Sequence, residues 1–435
     1  MERLEIKNFL TIKEAYFDVK KLTIIIGLQA TGKSVIAKLL YFFQDFLTSD
    51  LVKFVQTSEN KRDIERKMLS YFEGFFPKYT WNGQEFIIKY IVNDIQVVIK
   101  RERNKKGSLI LKFNYSQELD ELRKKAKHVL KRKQQEYQDE EIKTSISSSF
   151  NKDILFTQVI SNCIFESDIG RDFKNPIFIP ASRSFFANIQ KNVFSFLANN
   201  INIEPFISEF GSVYERTRRL YAVLEEGRIK LSPKDREFRS NIKKLMERVL
   251  VGEYLYEDDE DWISSSKRKI NVSNASSGQQ EALPMLLVLS VLPFFNPRQI
   301  MFFIEEPEAH LFPLAQKYIA NLLALIYNNK KHSSFLITTH SPYILTAFNN
   351  MIMASNIYKS SEEKIRYKYK RSKILNSYNF IDYEDVAAYT IKDGFVTSIL
   401  NEEIQLIGSS IIDSVSDEFE REFDKLVELQ LEEHK

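Results

Sequence analysis

The chain has 435 residues, enough for two or three domains' worth of core or for one large composite domain with insertions. Lys plus Arg (62) nearly balance Asp plus Glu (59), so a net charge of +3 gives no whole-protein argument for nucleic acid or a membrane surface. One cysteine, Cys163, excludes an internal disulfide framework and a cysteine-built zinc site and suits a reducing compartment.

The opening MERLEIKNFLTIKEAYF alternates without a long apolar stretch, which predicts a strand rather than a signal peptide. A second strand, LTIII, runs into GLQATGKS, and Val35, Ile36, Leu39, Leu40 and Phe43 then repeat at helical spacing. EFIIKYIVNDIQVVIKRER and SLILKFNY, with turn residues between them, predict antiparallel hairpins. From about Ser116 to Ser149 the texture changes to a highly charged helical stretch, expected to be an exposed insertion. NPIFIPASRSFF returns to a strand over Ile177 to Ile179, and Phe185 to Leu255 is mostly helical, including a helix begun by Ser232-Pro233. An acidic loop, EDDEDW, leads to NASSGQQE and the apolar run ALPMLLVLSVLPFF, a core helix too short and too proline-interrupted for a membrane span. The strand QIMFFIEEPEAHLFP, the helix LAQKYIANLLALIYN and the strand SSFLITTHSPYIL follow. Then come a basic aromatic run, YKSSEEKIRYKYKRSK, the hairpin VAAYTIKDGFVTSIL and a terminal helix. Alternating strand and helix with short apolar strands predicts an α/β core containing a parallel sheet.

Three segments carry chemistry. Gly27-Leu28-Gln29-Ala30-Thr31-Gly32-Lys33-Ser34 fits GxxxxGK[ST] between a strand and a helix. Backbone N–H groups of such a loop wrap phosphates, Lys33 neutralises the outer phosphate oxygens and the Ser34 hydroxyl ligates Mg²⁺. Glu305 and Glu306 end an apolar strand, the first suited to holding Mg²⁺ and the second to activating water. His340 ends a third strand, where it can contact a γ-phosphate or the attacking water.

In this order, GxxxxGKS, a Ser-Gly-Gln stretch before a helix, a Glu-Glu pair and a strand-borne histidine resemble the ABC-type ATPase heads of the SMC and RecF kind. More closely, SSGQQE, IEEPEAHLFP and TTHSPYIL are similar to AAA-family ATPases of the OLD (overcoming lysogenization defect) group, modules found in bacterial anti-phage defence. The resemblance covers both ends of the chain and fades in the middle. It implies an α/β P-loop NTPase of the ABC-head type, with a mixed or parallel sheet core, an antiparallel β subdomain and a helical insertion lobe. The expected division is residues 1–115, an N-terminal ATPase lobe; 116–262, a helical lobe; and 263–435, a C-terminal ATPase lobe. The resemblance makes ATP and Mg²⁺ the cofactors, Glu305 the Walker B acid, Glu306 the catalytic base and His340 the switch histidine. Ser277, Gly278 and Gln279 become the signature that touches ATP held by a second subunit. Glu305 replaces the commoner Asp, Gln279 the second glycine of LSGGQ, and Glu308-Ala309-His310 the usual D-loop.

The implied assembly is a cytosolic homodimer around two nucleotides, with higher oligomers left open and no membrane. Its implied task is to sense infection and control a separately encoded nuclease or toxin. The alternative is a RecF-like repair or replication ATPase that clamps DNA directly. The basic segment Leu122 to Lys133 is a candidate contact for nucleic acid or a partner, or a solvated helix face, and KIRYKYKRSK suits phosphate contact and base stacking or a basic exposed strand guarded against edge pairing. Arg183, in the IPASR corner, is expected either to reach the nucleotide or partner subunit or to be a surface or fold-stabilising arginine. No DxD follows His340, which argues against a built-in Toprim nuclease.

Overall fold

A computed structural model describes residues 1–141, 149–187, 204–266, 268–296, 298–329, 333–360 and 377–408. Strands β1 (Glu2–Phe9), β2 (Ile12–Val19) and β3 (Leu22–Ile26) come first, and β4 (Phe86–Val92), β5 (Ile95–Arg103) and β6 (Leu109–Tyr115) form the expected hairpins. A single Asn-Asp turn joins β4 to β5, with Asn93 at φ 50°. β7 (Asn175–Ile179) is the strand expected before the IPASR corner. A three-stranded antiparallel sheet, β8 (Glu253–Glu257), β9 (Glu260–Ser265) and β10 (Arg268–Asn271), replaces the expected acidic loop. Its turn residues Asp258 and Asp259 adopt positive φ, which aspartate tolerates, and the charges that read as loop lie at a hairpin tip. β11 (Ile300–Glu305) and β12 (Ser333–Thr339) end within a residue of the glutamate pair and of His340, and Pro307 and Pro342 follow. The hairpin β13 (Val386–Lys392) and β14 (Phe395–Ser398) turns at Asp393-Gly394, and the pair β15 (Leu400–Asn401) and β16 (Leu406–Ile407) follows.

The main sheet runs β6-β5-β4-β1-β2-β14-β13-β3-β12-β11-β7. The five strands from β13 to β7 are mutually parallel, and β6 to β2 form an antiparallel meander. The antiparallel strands thus continue the core sheet, which draws strands from all three expected segments of the chain. The two halves meet where β14 runs parallel to β2 through Phe395 and Glu14, and Lys13 and Glu14 both donate to the Gly394 carbonyl.

Helices cover both faces. On one face lie α1 (Lys33–Asp45), α2 (Leu51–Gln56), α3 (Lys61–Phe75), α4 (Gln117–Glu141) and α5 (Ser149–Phe165). A π-helical turn, Phe46–Asp50, joins α1 to α2. On the other face lie α6 (Pro205–Glu225), α7 (Pro233–Leu250), α8 (Ser277–Phe295), α9 (Pro313–Asn329) and α10 (Pro342–Ser360). Strand residues alternate between the layers: Phe302 and Ile304 join one core, Met301 and Phe303 the other.

The stretch expected to be an exposed insertion packs through one face of α4, where Leu119, Leu122, Ala126 and Leu130 are buried against α2 and α5. The charges around them hid that stripe. The run judged too short for a membrane span is part of a 19-residue helix, α8, long and apolar enough to cross one. It is buried on all sides, including Pro284 and Pro293. The terminal helix and most of the basic aromatic run lie outside the described residues.

Candidate nucleotide site

The loop between β3 and α1 ends at Gly32, the N-cap of α1, with φ 106° and ψ 10°. A Cβ there would lie 2.6 Å from Ile12 Cδ1 and 2.7 Å from Thr11 Oγ1, so conformation and space both demand glycine. Ala30 is also left-handed, at φ 61°. Leu28, Gln29 and Ala30 are exposed, as is Ser34 on the first turn of α1. Lys33 is 5% exposed and turns back into the loop. Its Nζ donates to the carbonyls of Gly27 at 2.9 Å and Leu28 at 2.6 Å. Burial pushes its pKa below the ordinary lysine value, opposed by the charges of Glu306 and Glu308.

The parallel strands bring the other residues alongside, since β12 lies between β3 and β11. His340 Nδ1 lies 3.5 Å from Lys33 Nζ, and His340 Nε2 lies 3.2 Å from Glu306 Oε1. Glu306 takes φ 43°, an unusual conformation for glutamate, which turns the chain out of β11 into a tight corner. Glu305 is 6% exposed; its Oε2 accepts from the Ala181 N–H at 3.3 Å. Its Oε1 is buried with no hydrogen-bond partner. A buried carboxylate oxygen in that state suits a hard cation. Among the described residues no group of three or more His, Cys, Asp or Glu could hold a metal. The Glu305 oxygen is a hard donor of the kind Mg²⁺ takes.

NASSGQQE is both a cap and a helix opening. Ser276 is the N-cap of α8 and pairs with Gln279 in a capping box. Gln279 Oε1 accepts from Ser276 N–H and Oγ–H, and its Nε2 donates to the Leu250 carbonyl at 2.6 Å. Both ends of the Gln279 amide are thus committed within the chain. Ser277 is exposed on the first turn. Gly278 packs on the corner after β11, where a Cβ would lie 2.8 Å from the His310 carbonyl oxygen.

Two residues complete the corner. Glu308 Oε1 accepts from the Thr339 hydroxyl at 2.8 Å and from the His340 backbone N–H at 2.7 Å, so it fixes the base of the histidine. In the sequence Glu308 stands only as a departure from a D-loop, and nothing in its spacing announces this bond. Arg183 is fully buried. It is not a surface arginine, and its guanidinium binds main-chain carbonyls beneath the site.

Residues 1–345 match the family described as AAA ATPase domain. The chain belongs to that family. The AAA ATPase match spans the loop at Gly27, the signature stretch, both glutamates and His340. No curated protein matches the chain. Among solved structures it is similar to an SMC head domain from Thermotoga maritima, at 13% identity over 91% of this chain and 97% of that one, with a TM-score of 0.35. It is also similar to the recombination mediator protein RecF, at 12% identity over 91% and 97%, TM-score 0.31. A dimeric ATP-binding cassette bound to ADP and Pi gives 11% identity over 91% and 96%, TM-score 0.32.

Proposed function

We propose that this AAA ATPase hydrolyses ATP as a switch, closing as a homodimer around two nucleotides and reopening after hydrolysis. The observation that carries this reading is the chain of short contacts from Lys33 through His340 to Glu306, beside the unpartnered Glu305 oxygen. ATP would replace the Gly27 and Leu28 carbonyls as the partner of the Lys33 ammonium, and the loop N–H groups would take the phosphates. Ser34 and Glu305 would hold Mg²⁺, which supplies charge neutralisation on the phosphate oxygens. Glu306 would take a proton from the attacking water, with His340 orienting its carboxylate and meeting the γ-phosphate. Ser277 and Gly278 would offer the positive end of α8 to ATP of the second subunit. Binding that requires two subunits makes association depend on nucleotide.

The biological task proposed is anti-phage defence in the cytosol, with the dimer holding or releasing a separately encoded nuclease or toxin. Its support is the likeness of SSGQQE, IEEPEAHLFP and TTHSPYIL to the OLD group. We take 1–115, 116–262 and 263–435 as the functional lobes, the middle one facing the partner or effector. A second reading, direct DNA clamping, draws on α4, where Lys124, Lys125, His128, Lys131 and Arg132 are exposed.

The deciding experiment measures ATP hydrolysis and oligomer mass for wild type, Lys33→Ala and Glu306→Gln. Loss of turnover in both, with an ATP-stabilised dimer in Glu306→Gln alone, supports the site. Unchanged turnover in either variant overturns it. Tight, salt-sensitive, ATP-dependent binding of duplex DNA without any partner selects the clamp reading.

A further inference from the structure

Arg183 and Glu281 are each 0% exposed and lie 3.4 Å apart, Nη2 to Oε1. Glu281 sits on the second turn of α8, four residues after Ser277, inside an otherwise apolar face. Its carboxylate accepts from the backbone N–H groups of Arg183 at 2.9 Å and Ser184 at 2.8 Å, capping the chain as it leaves the IPASR corner. The guanidinium reaches across to β11. Nη1 donates to the carbonyls of Glu305 at 2.7 Å and Pro180 at 2.9 Å, Nη2 to that of Glu306 at 3.0 Å, and Nε to that of Glu281 at 3.0 Å.

This placement is not explained by stability alone, since a buried ion pair is commonly no better than well-packed apolar side chains. It does something an apolar pair cannot: one rigid, planar group bonds the backbone of both Walker B glutamates and the backbone of α8 together. Glu306 needs such support, because its left-handed φ of 43° persists only where neighbours over-determine it. The same corner touches α8 a second time, where Gly278 meets the His310 carbonyl.

We propose that Arg183 and Glu281 are positioning residues, a strut that makes the N-terminal turns of α8 and the Glu305-Glu306 corner move as one body, so that engagement of Ser277 and Gly278 by a second subunit sets the aim of the Glu306 carboxylate. This rests on the ATPase reading above. Neither residue touches nucleotide; both act through Glu306.

The test uses the full chain with Arg183→Lys, which keeps the charge but loses the planar fork, and Glu281→Gln, which keeps the shape but replaces one of the two accepting oxygens with a donor. Hydrogen exchange is followed by mass spectrometry at 277–283, at 304–311 and, as reference, in α1. The strut predicts that both variants speed exchange at 277–283 and 304–311 together by roughly tenfold or more and leave α1 unchanged. It further predicts kcat reduced about tenfold or more with KM for ATP within about threefold of wild type. Exchange rising in only one of the two segments, or kcat of the folded variants equal to wild type, overturns the strut and leaves a purely structural pair. A wild-type protein that hydrolyses no ATP overturns the ATPase reading instead, and the exchange comparison still decides whether the two segments are joined.

Discussion

Replacement of Gly32 by alanine isolates the geometry of the phosphate loop from everything that depends on nucleotide. At φ 106° and ψ 10° a residue with a Cβ pays a conformational cost of about 1–2 kcal/mol relative to glycine. The added methyl would also lie 2.6 Å from Ile12 Cδ1 and 2.7 Å from Thr11 Oγ1, below any normal contact. Ile12 is buried in the core at the β1–β2 turn, so its displacement adds an overpacking cost of about 1–3 kcal/mol. The expected loss is therefore about 2–5 kcal/mol in the absence of ATP. Gly27→Ala is the control. Its φ is unexceptional and a Cβ would have no neighbour nearer than 3.6 Å, so its stability should stay within about 1 kcal/mol of wild type. Urea unfolding of the apo proteins, followed by circular dichroism, compares the three. Equal losses in the two variants, or a Gly32→Ala midpoint indistinguishable from wild type, would refute the account of the loop.

Ser277→Arg should leave a folded chain that binds ATP but does not dimerise with it, since the exposed side chain sits where the second subunit's nucleotide is expected; normal ATP-driven dimerisation by light scattering would reduce the stretch to a cap. Glu308→Gln removes the negative charge holding the His340 N–H and should lower kcat about tenfold with little change in ATP affinity, read by steady-state kinetics against a binding titration. Asp50 is pushed up to about 7 by burial first and by neighbouring Asp45 second. A carboxyl whose folded value is raised binds more protons folded than unfolded, so its contribution falls as pH rises from about 4 to 7. Asp50→Asn should therefore gain stability relative to wild type at pH 8 but not at pH 4, by at most about 4 kcal/mol; a pH-independent difference between their melting temperatures would contradict this.

What the sequence revealed follows from what leaves a local signature. The loop at Gly27, the glutamate pair and His340 each end a short apolar strand, and a parallel sheet necessarily gathers such ends on one edge. The capping box at Ser276 is likewise local, because N-cap and N3 are fixed three residues apart. Arg183, Glu281 and Glu308 gave no comparable signal, since their partners are main-chain atoms from distant segments. One hint existed: Glu281 interrupts a helix apolar on all sides, and a charge buried there must find a partner. The three small strands after α7 were missed because acidic residues at the β8–β9 tip read as a loop, while the pairing that makes them strands is not local.

β2 and β3 are separated by only two residues in the chain, yet in the sheet β14 and β13 stand between them. Strands contributed after residue 385 thus form the middle of the sheet, not its border. During synthesis, on the order of tens of seconds elapse between the appearance of β3 and that of β13. Over that interval the meander and the phosphate-loop half each present an open edge, at β2 and at β3, to whatever strand is nearby. The late hairpin closes both edges at once. Nascent chains of this protein are consequently most vulnerable to wrong pairing before the hairpin emerges, and the nucleotide loop, seated at the end of β3, gains a neighbour on both sides only when the hairpin is in place.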